Sequence, residues 1–114
     1  MATRNDKTTT QVDVADLPLN VRLHKEILAN LHDLYQRKNH DYGDSFHLLY
    51  QEEGMAAVRI RLGDKLNRLK TLTKDGSVQM VKDESIYDTL MDIANYSVMA
   101  LIELDRVKHE GDGK

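Results

Sequence analysis

The sequence predicts an all-α fold: a compact four-helix bundle-like domain with one short helix and a flexible N-terminal arm. Three observations carry this expectation. A single proline stands among 114 residues. Aliphatic residues recur three and four positions apart through stretches rich in Leu, Lys, Glu, Arg and Ala, which favour helix over sheet. The aromatics are few, Tyr35, Tyr42, Phe46, Tyr50, Tyr87 and Tyr96, so Leu, Ile, Val, Met and Ala must do most of the packing. A mass of 13.1 kDa is one domain's worth of chain, enough to bury about two-thirds of its unfolded surface without staples.

Residues 1–16 are polar, Thr-rich and aperiodic, and are expected to form the arm. The domain then spans 17–108, with a frayed tail at 109–114. Pro18 suits the first turn of a helix on which Leu19, Leu23, Ile27, Leu31 and Leu34 recur up to Arg37. The stretch Lys38-Asn39-His40-Asp41-Tyr42-Gly43-Asp44-Ser45 breaks that pattern, and Ser45 is the expected N-cap of a short helix from Phe46 to Glu53, stopped by Gly54. A third helix is expected from Met55 to about Thr73, with Val58, Leu62, Leu66 and Leu69 on one stripe. Gly63 inside it suggests a close helix contact or a ligand against the backbone. After a turn at Lys74–Ser77 and an irregular crossover, Ser85 with Asp88 resembles a capping box that opens a fourth helix to about Val107. Helices three and four should pack through Leu62, Leu66, Leu69, Leu90, Ile93 and Leu101. Apolar residues such as Met55, Met91, Val98, Met99 and Ile102 then cover too much of the helix circumference for one small core, which points to a homo-oligomer.

The formal net charge of -3, from 16 basic and 19 acidic residues, gives no global positive field for nucleic acid. Cysteine is absent, which removes disulfides, thiolate metal sites and thiol nucleophiles and fits a cytoplasmic location. No apolar stretch approaches the ~20 residues a bilayer requires, and the first residues hold no apolar signal region, so neither a membrane span nor secretion is expected. No HExxH, Walker-type glycine loop, GxSxG or dinucleotide fingerprint is present, and nucleophilic catalysis has no candidate.

The chemistry-bearing residues lie on helices three and four and in the loop before the short helix. Arg61, Asp64, Lys65 and Arg68 share one helix face, an acid among three cations. Asp88, Asp92 and Asn95 fall on one face of helix four beside Tyr96. Asp92, flanked by Met91 and Ile93, needs a cation or a metal if it is buried. Two arrangements fit these charges: a structural salt-bridge lattice, or a site in which Asp64, Asp88 and Asp92 hold Mg²⁺ while Arg61, Lys65 and Arg68 grip phosphates. Lys38, Asn39, His40 and Tyr42 add donors in the loop.

Three blocks, Arg37 to Phe46, Arg61 to Lys70 and Val81 to Tyr96, resemble the small nucleotide-modification-associated domain, type one, carried by many tailed phages and some bacteria. The likeness covers about residues 25–104. A weaker likeness joins Asp88-Thr89-Leu90-Met91-Asp92 and Asn95-Tyr96 to the last acidic motif of MazG-like all-α nucleoside-triphosphate pyrophosphohydrolases. Their paired-glutamate helix has no counterpart here, where Gly63-Asp64-Lys65-Leu66-Asn67-Arg68 stands instead. The first resemblance implies a phosphorylated nucleotide as ligand and draws the three blocks into one site, with Lys38, Asn39, His40, Tyr42, Arg61, Lys65, Arg68, Asn95 and Tyr96 as ligand contacts. The expected function is a phage-type nucleotide-binding protein, in the cytoplasm of the infected host, that sequesters a nucleotide signal of bacterial immunity. A Mg²⁺-dependent pyrophosphohydrolase and a helical protein-interaction module are the alternatives, so enzymatic activity stays open.

Overall fold

The computed structural model describes residues 16–42, 44–74 and 80–112, without the side chains of 41–42, 80–84, 107 and 109–112. It is all-α among the described residues. The four helices are α1 (Leu19–Tyr42), α2 (Ser45–Glu53), α3 (Met55–Thr73) and α4 (Met80–Asp112). The arm expected over 1–16 lies almost wholly outside the described residues. Backbone contacts divide the chain into two compact units, 1–34 and 35–114, and α1 crosses the division.

α1 starts where proline allows it. The Pro18 carbonyl accepts the amides of Val21 and Arg22 at 3.0 and 3.1 Å, and Arg22 Nε donates to the Leu17 carbonyl at 3.2 Å. Proline's missing N–H costs nothing there, because the first helical donors have no intrahelical acceptor. α1 continues five residues past Arg37, through the segment expected as a turn. Asn, His, Asp and Tyr are only mildly unfavourable in helices, and the strong breaker, Gly43, comes after them. Asp44, rather than Ser45, is the N-cap of α2, and its carbonyl accepts the Leu48 amide at 3.1 Å.

Gly54 joins α2 to α3. Its N–H donates to Tyr50 O at 2.7 Å, its carbonyl accepts from Ala57 N at 3.0 Å, and its φ of 65° with ψ of -146° is a conformation side chains resist. α3 has the expected bounds. α4 begins at Met80, so Ser85 is an interior residue and not a cap; its carbonyl accepts a 2.7 Å bond from Thr89 Oγ1, which satisfies a fully buried hydroxyl. The helix also runs through 112, where a frayed tail was expected.

Within the second unit α3 and α4 make the most extensive helix pairing, and α2 packs mainly on α3. The core between them is small: Ala57 and Val58 on α3 and Ala100 on α4, with Thr89, Asn95 and Glu103 buried beside them. Leu62, Leu69 and Ile93 are partly buried as expected, but Leu66, Leu90 and Leu101 are exposed, Leu101 at 59%. One short helix against a long pair cannot cover every apolar face. Gly63 meets no close neighbour either: a Cβ built on it has nothing within 4 Å.

The two glycines should therefore respond with opposite signs. Gly63→Ala should stabilise the protein by about 0.5 to 1 kcal/mol, since it removes backbone freedom at no steric cost. Gly54→Ala should destabilise by about 1 to 3 kcal/mol through its positive φ. Urea unfolding monitored by circular dichroism measures both.

Candidate functional site

The last turns of α1 together with α2, α3 and α4 line an open cleft of about 470 Å³ within the second unit, a volume typical of small-ligand sites. At one end the Asp92 carboxylate is shared between two lysines. Lys65 Nζ lies 3.0 Å from Oδ2, and Lys38 Nζ lies 3.9 Å from Oδ1. Arg61, one turn before Lys65 on α3, also lines the cleft. Asp92 thus has the cation that its apolar flanks demand, and it keeps partial solvent access. Among the side chains that line the cleft, Lys38, Arg61, Lys65 and Arg106 stand beside Asp44, Asp92 and Glu103.

The middle of the cleft is aromatic. The Phe46 and Tyr96 rings lie 5.8 Å apart at 52°, and Tyr50 backs Phe46 at 6.4 Å and 34°. Asn39 on α1 and the buried Asn95 on α4 add amide groups to the lining. The far end is built on Glu103, whose side chain is 5% exposed. His47 Nδ1 sits 2.8 and 3.0 Å from its two oxygens, and Arg106 Nε approaches Oε1 at 3.7 Å, close enough for an ion pair but too long for a hydrogen bond. That buried Arg106 Nε has no hydrogen-bond partner.

Of the residues expected in the site, Lys38, Asn39, Arg61, Lys65, Asp92, Asn95 and Tyr96 line this cleft. His40, Asp64, Arg68 and Asp88 do not. The helical continuation of α1 explains His40: Tyr35, Lys38 and Asn39 share one face, and His40 lies round the helix from it. Arg68 lies about one turn beyond Lys65, and Asp64 and Asp88 are exposed. The side chain of Tyr42 is outside the described residues. Among the described residues no group of three or more His, Asp or Glu comes together to hold a metal ion, so Asp64, Asp88 and Asp92 do not form the expected carboxylate cluster.

Residues 38–104, more than half of the chain, match the family described as nucleotide modification associated domain 1. The chain belongs to that family. No curated protein and no solved structure matches it. In this nucleotide modification associated domain 1 chain the matched region opens at Lys38 and takes in Asp92, His47 and Glu103, while Tyr35 and Arg106 lie just outside it.

Sequence reasoning missed His47, Glu103 and Arg106. The signal for Glu103 was the one that marked Asp92: a carboxylate between apolar neighbours, here Ile102 and Leu104, on a helix. His47 had no comparable local mark, because its partner is 56 residues away. Glu103→Ala removes the acceptor of His47 and the anion beside Arg106, and should cost about 2 kcal/mol of stability. Lys38→Ala, at a half-exposed side chain 3.9 Å from its partner, should change stability by less than about 0.5 kcal/mol. Equal melting shifts for the two variants would show that the Glu103 cluster contributes no more than a surface contact.

Proposed function

We propose that this chain binds a phosphorylated nucleotide in the cleft and retains it without turnover, acting as a sponge for a nucleotide signal. The observation that supports this most is the cations Lys38, Arg61 and Lys65 in one cleft with the Phe46–Tyr96 ring pair. Phosphoryl oxygens favour the first and a nucleoside the second. A lysine ammonium carries three donors, so the contact to Asp92 does not exhaust Lys65. The family description, nucleotide modification associated, is compatible with such a ligand. Mg²⁺ enters this proposal with the ligand: the ion is commonly held by one or two carboxylates together with substrate phosphates, and Asp92 supplies one carboxylate at the right end.

Pyrophosphohydrolysis of the MazG-like kind requires a water activated by a metal or a base. Incubating the purified protein with a nucleotide panel, with and without Mg²⁺, and measuring retained ligand and product separates the possibilities. Recovery of unaltered bound nucleotide is the expected result. Product formation would make the chain an enzyme, and a panel neither bound nor altered would favour a protein-interaction module. Lys65→Gln should weaken the bound nucleotide by about 1.5 to 3 kcal/mol.

The exposed apolar side chains support a homo-oligomer. On α4, Tyr87, Leu90, Val98, Leu101 and Leu104 are all exposed and follow helical spacing on the side away from Asp92, Tyr96 and Glu103. Light scattering at micromolar concentration should give a mass above the 13.1 kDa monomer, and a monomer would contradict this. Among the described residues no helix is long and apolar enough to cross a membrane.

A further inference from the structure

The two ends of the cleft differ in chemistry. Lys38 and Lys65 hold Asp92 at one end, whereas His47 and Arg106 hold Glu103 at the other. An ionised carboxylate can only accept hydrogen bonds, so His47 Nδ1 carries the proton that Glu103 receives. That fixes the tautomer of the neutral ring and leaves Nε2 as an acceptor. Arg106 contributes only donors, and its contact to Glu103 uses one edge of the guanidinium. With the ring neutral, the far end offers an acceptor and a set of donors side by side, and the edge of a nucleobase, where donors and acceptors also alternate, suits it. Phe46, next to His47 in the chain, supplies an apolar ring surface beside Tyr96 in the adjoining middle of the cleft.

Length limits the ligand further. Asp92 and Glu103 are eleven residues apart on α4, about 16 Å along the helix axis. A nucleoside monophosphate holds its charge one ribose away from its base and falls short of that span. A polyphosphate chain extends the charge toward Lys38 and Lys65 while the base remains at the far end.

We infer that His47, Glu103 and Arg106 recognise the nucleobase of the ligand, and that the ligand is a nucleoside di- or triphosphate whose terminal phosphates lie at Lys38 and Lys65. This rests on the nucleotide-binding function proposed above. His47 Nε2 accepts from a base N–H and Arg106 donates to a base acceptor, while Glu103 is a positioning residue that acts through His47.

Isothermal titration with ATP, GTP, CTP and UTP, their monophosphates and inorganic tripolyphosphate tests it. The wild-type protein should prefer one base by about tenfold, the size of one well-formed hydrogen bond, and bind triphosphates more tightly than monophosphates. His47→Gln, which keeps a donor toward Glu103, should flatten the base ranking and leave tripolyphosphate binding unchanged. Arg106→Gln should do the same and serves as the second variant if His47→Gln does not fold. Lys65→Gln should weaken every ligand, tripolyphosphate included. Glu103→Gln, which retains an acceptor for His47, should preserve the ranking that Glu103→Leu loses. Nitrogen-resolved NMR of the His47 ring should show the proton on Nδ1 in the wild type. Equal affinity for all four triphosphates, or a ranking untouched by both His47→Gln and Arg106→Gln while Lys65→Gln still weakens binding, overturns the base assignment and leaves the phosphate end standing. If neither the triphosphates nor tripolyphosphate binds, the proposed function fails and this inference fails with it.

Discussion

A carboxylate as buried as Glu103 must find donors or lose its charge, and that requirement ties α2 to α4. Desolvating an ion without partners costs several kcal/mol, far more than the small apolar core could offset. His47 is the donor that meets it, with both carboxylate oxygens within 3.0 Å. α2 has only nine residues and no fully buried side chain of its own, so apolar burial alone holds it weakly. The His47–Glu103 bond supplies the directional contact that places Phe46 over Tyr96 and closes one side of the cleft. The polar interior of α4 thus organises the unit more than its leucines do.

The sequence showed the helical class, the short second helix and the bounds of α3 plainly, because period and glycine breaks are local signals. The cationic end was legible too: Asp92 between Met91 and Ile93 called for a cation, and Lys65 on the neighbouring helix provides it. Features that depend on which faces meet were not legible. Leu66, Leu90 and Leu101 follow the same periodicity as Leu62 and Ile93 yet stay exposed, since a stripe shows what could be buried and not whether another element arrives to cover it. Turn-forming residues misplaced the end of α1 for a related reason: Asn39, His40 and Asp41 weaken a helix without stopping it. Nor could the sequence show whether Asp64, Asp88 and Asp92 meet: positions that share a face on separate helices need not converge at one point, and among the described residues no three such side chains do.

α4 presents two chemically opposed faces. Asp92, Tyr96 and Glu103 fall on one side and Leu90, Val98 and Leu101 on the other, nearly half a turn away. Small residues keep the arrangement compact: Ala100 on α4 and Ala57 on α3 are buried where larger side chains would push the helices apart. Coupling between assembly and ligand binding, if the proposed oligomer forms, would have to pass through the body of this one helix. A rigid element of this kind transmits displacement well and chemical detail poorly.

The charge distribution also bears on the scale of the ligand. With a net charge of -3 over the chain, a long polyanion meets net repulsion from the molecule as a whole. The screening length at physiological salt is about 8 Å, shorter than the distance between the two ends of the cleft along α4. A small anion entering the cleft stands within that distance of the Lys38 and Lys65 ammonium groups, whereas a nucleic-acid strand extending beyond the cleft does not gain from them along its length. Under the proposed function this favours a single nucleotide over a polymer tracked along the surface, and selectivity then falls to the His47–Glu103 end of the cleft, where hydrogen bonds distinguish one ligand from another.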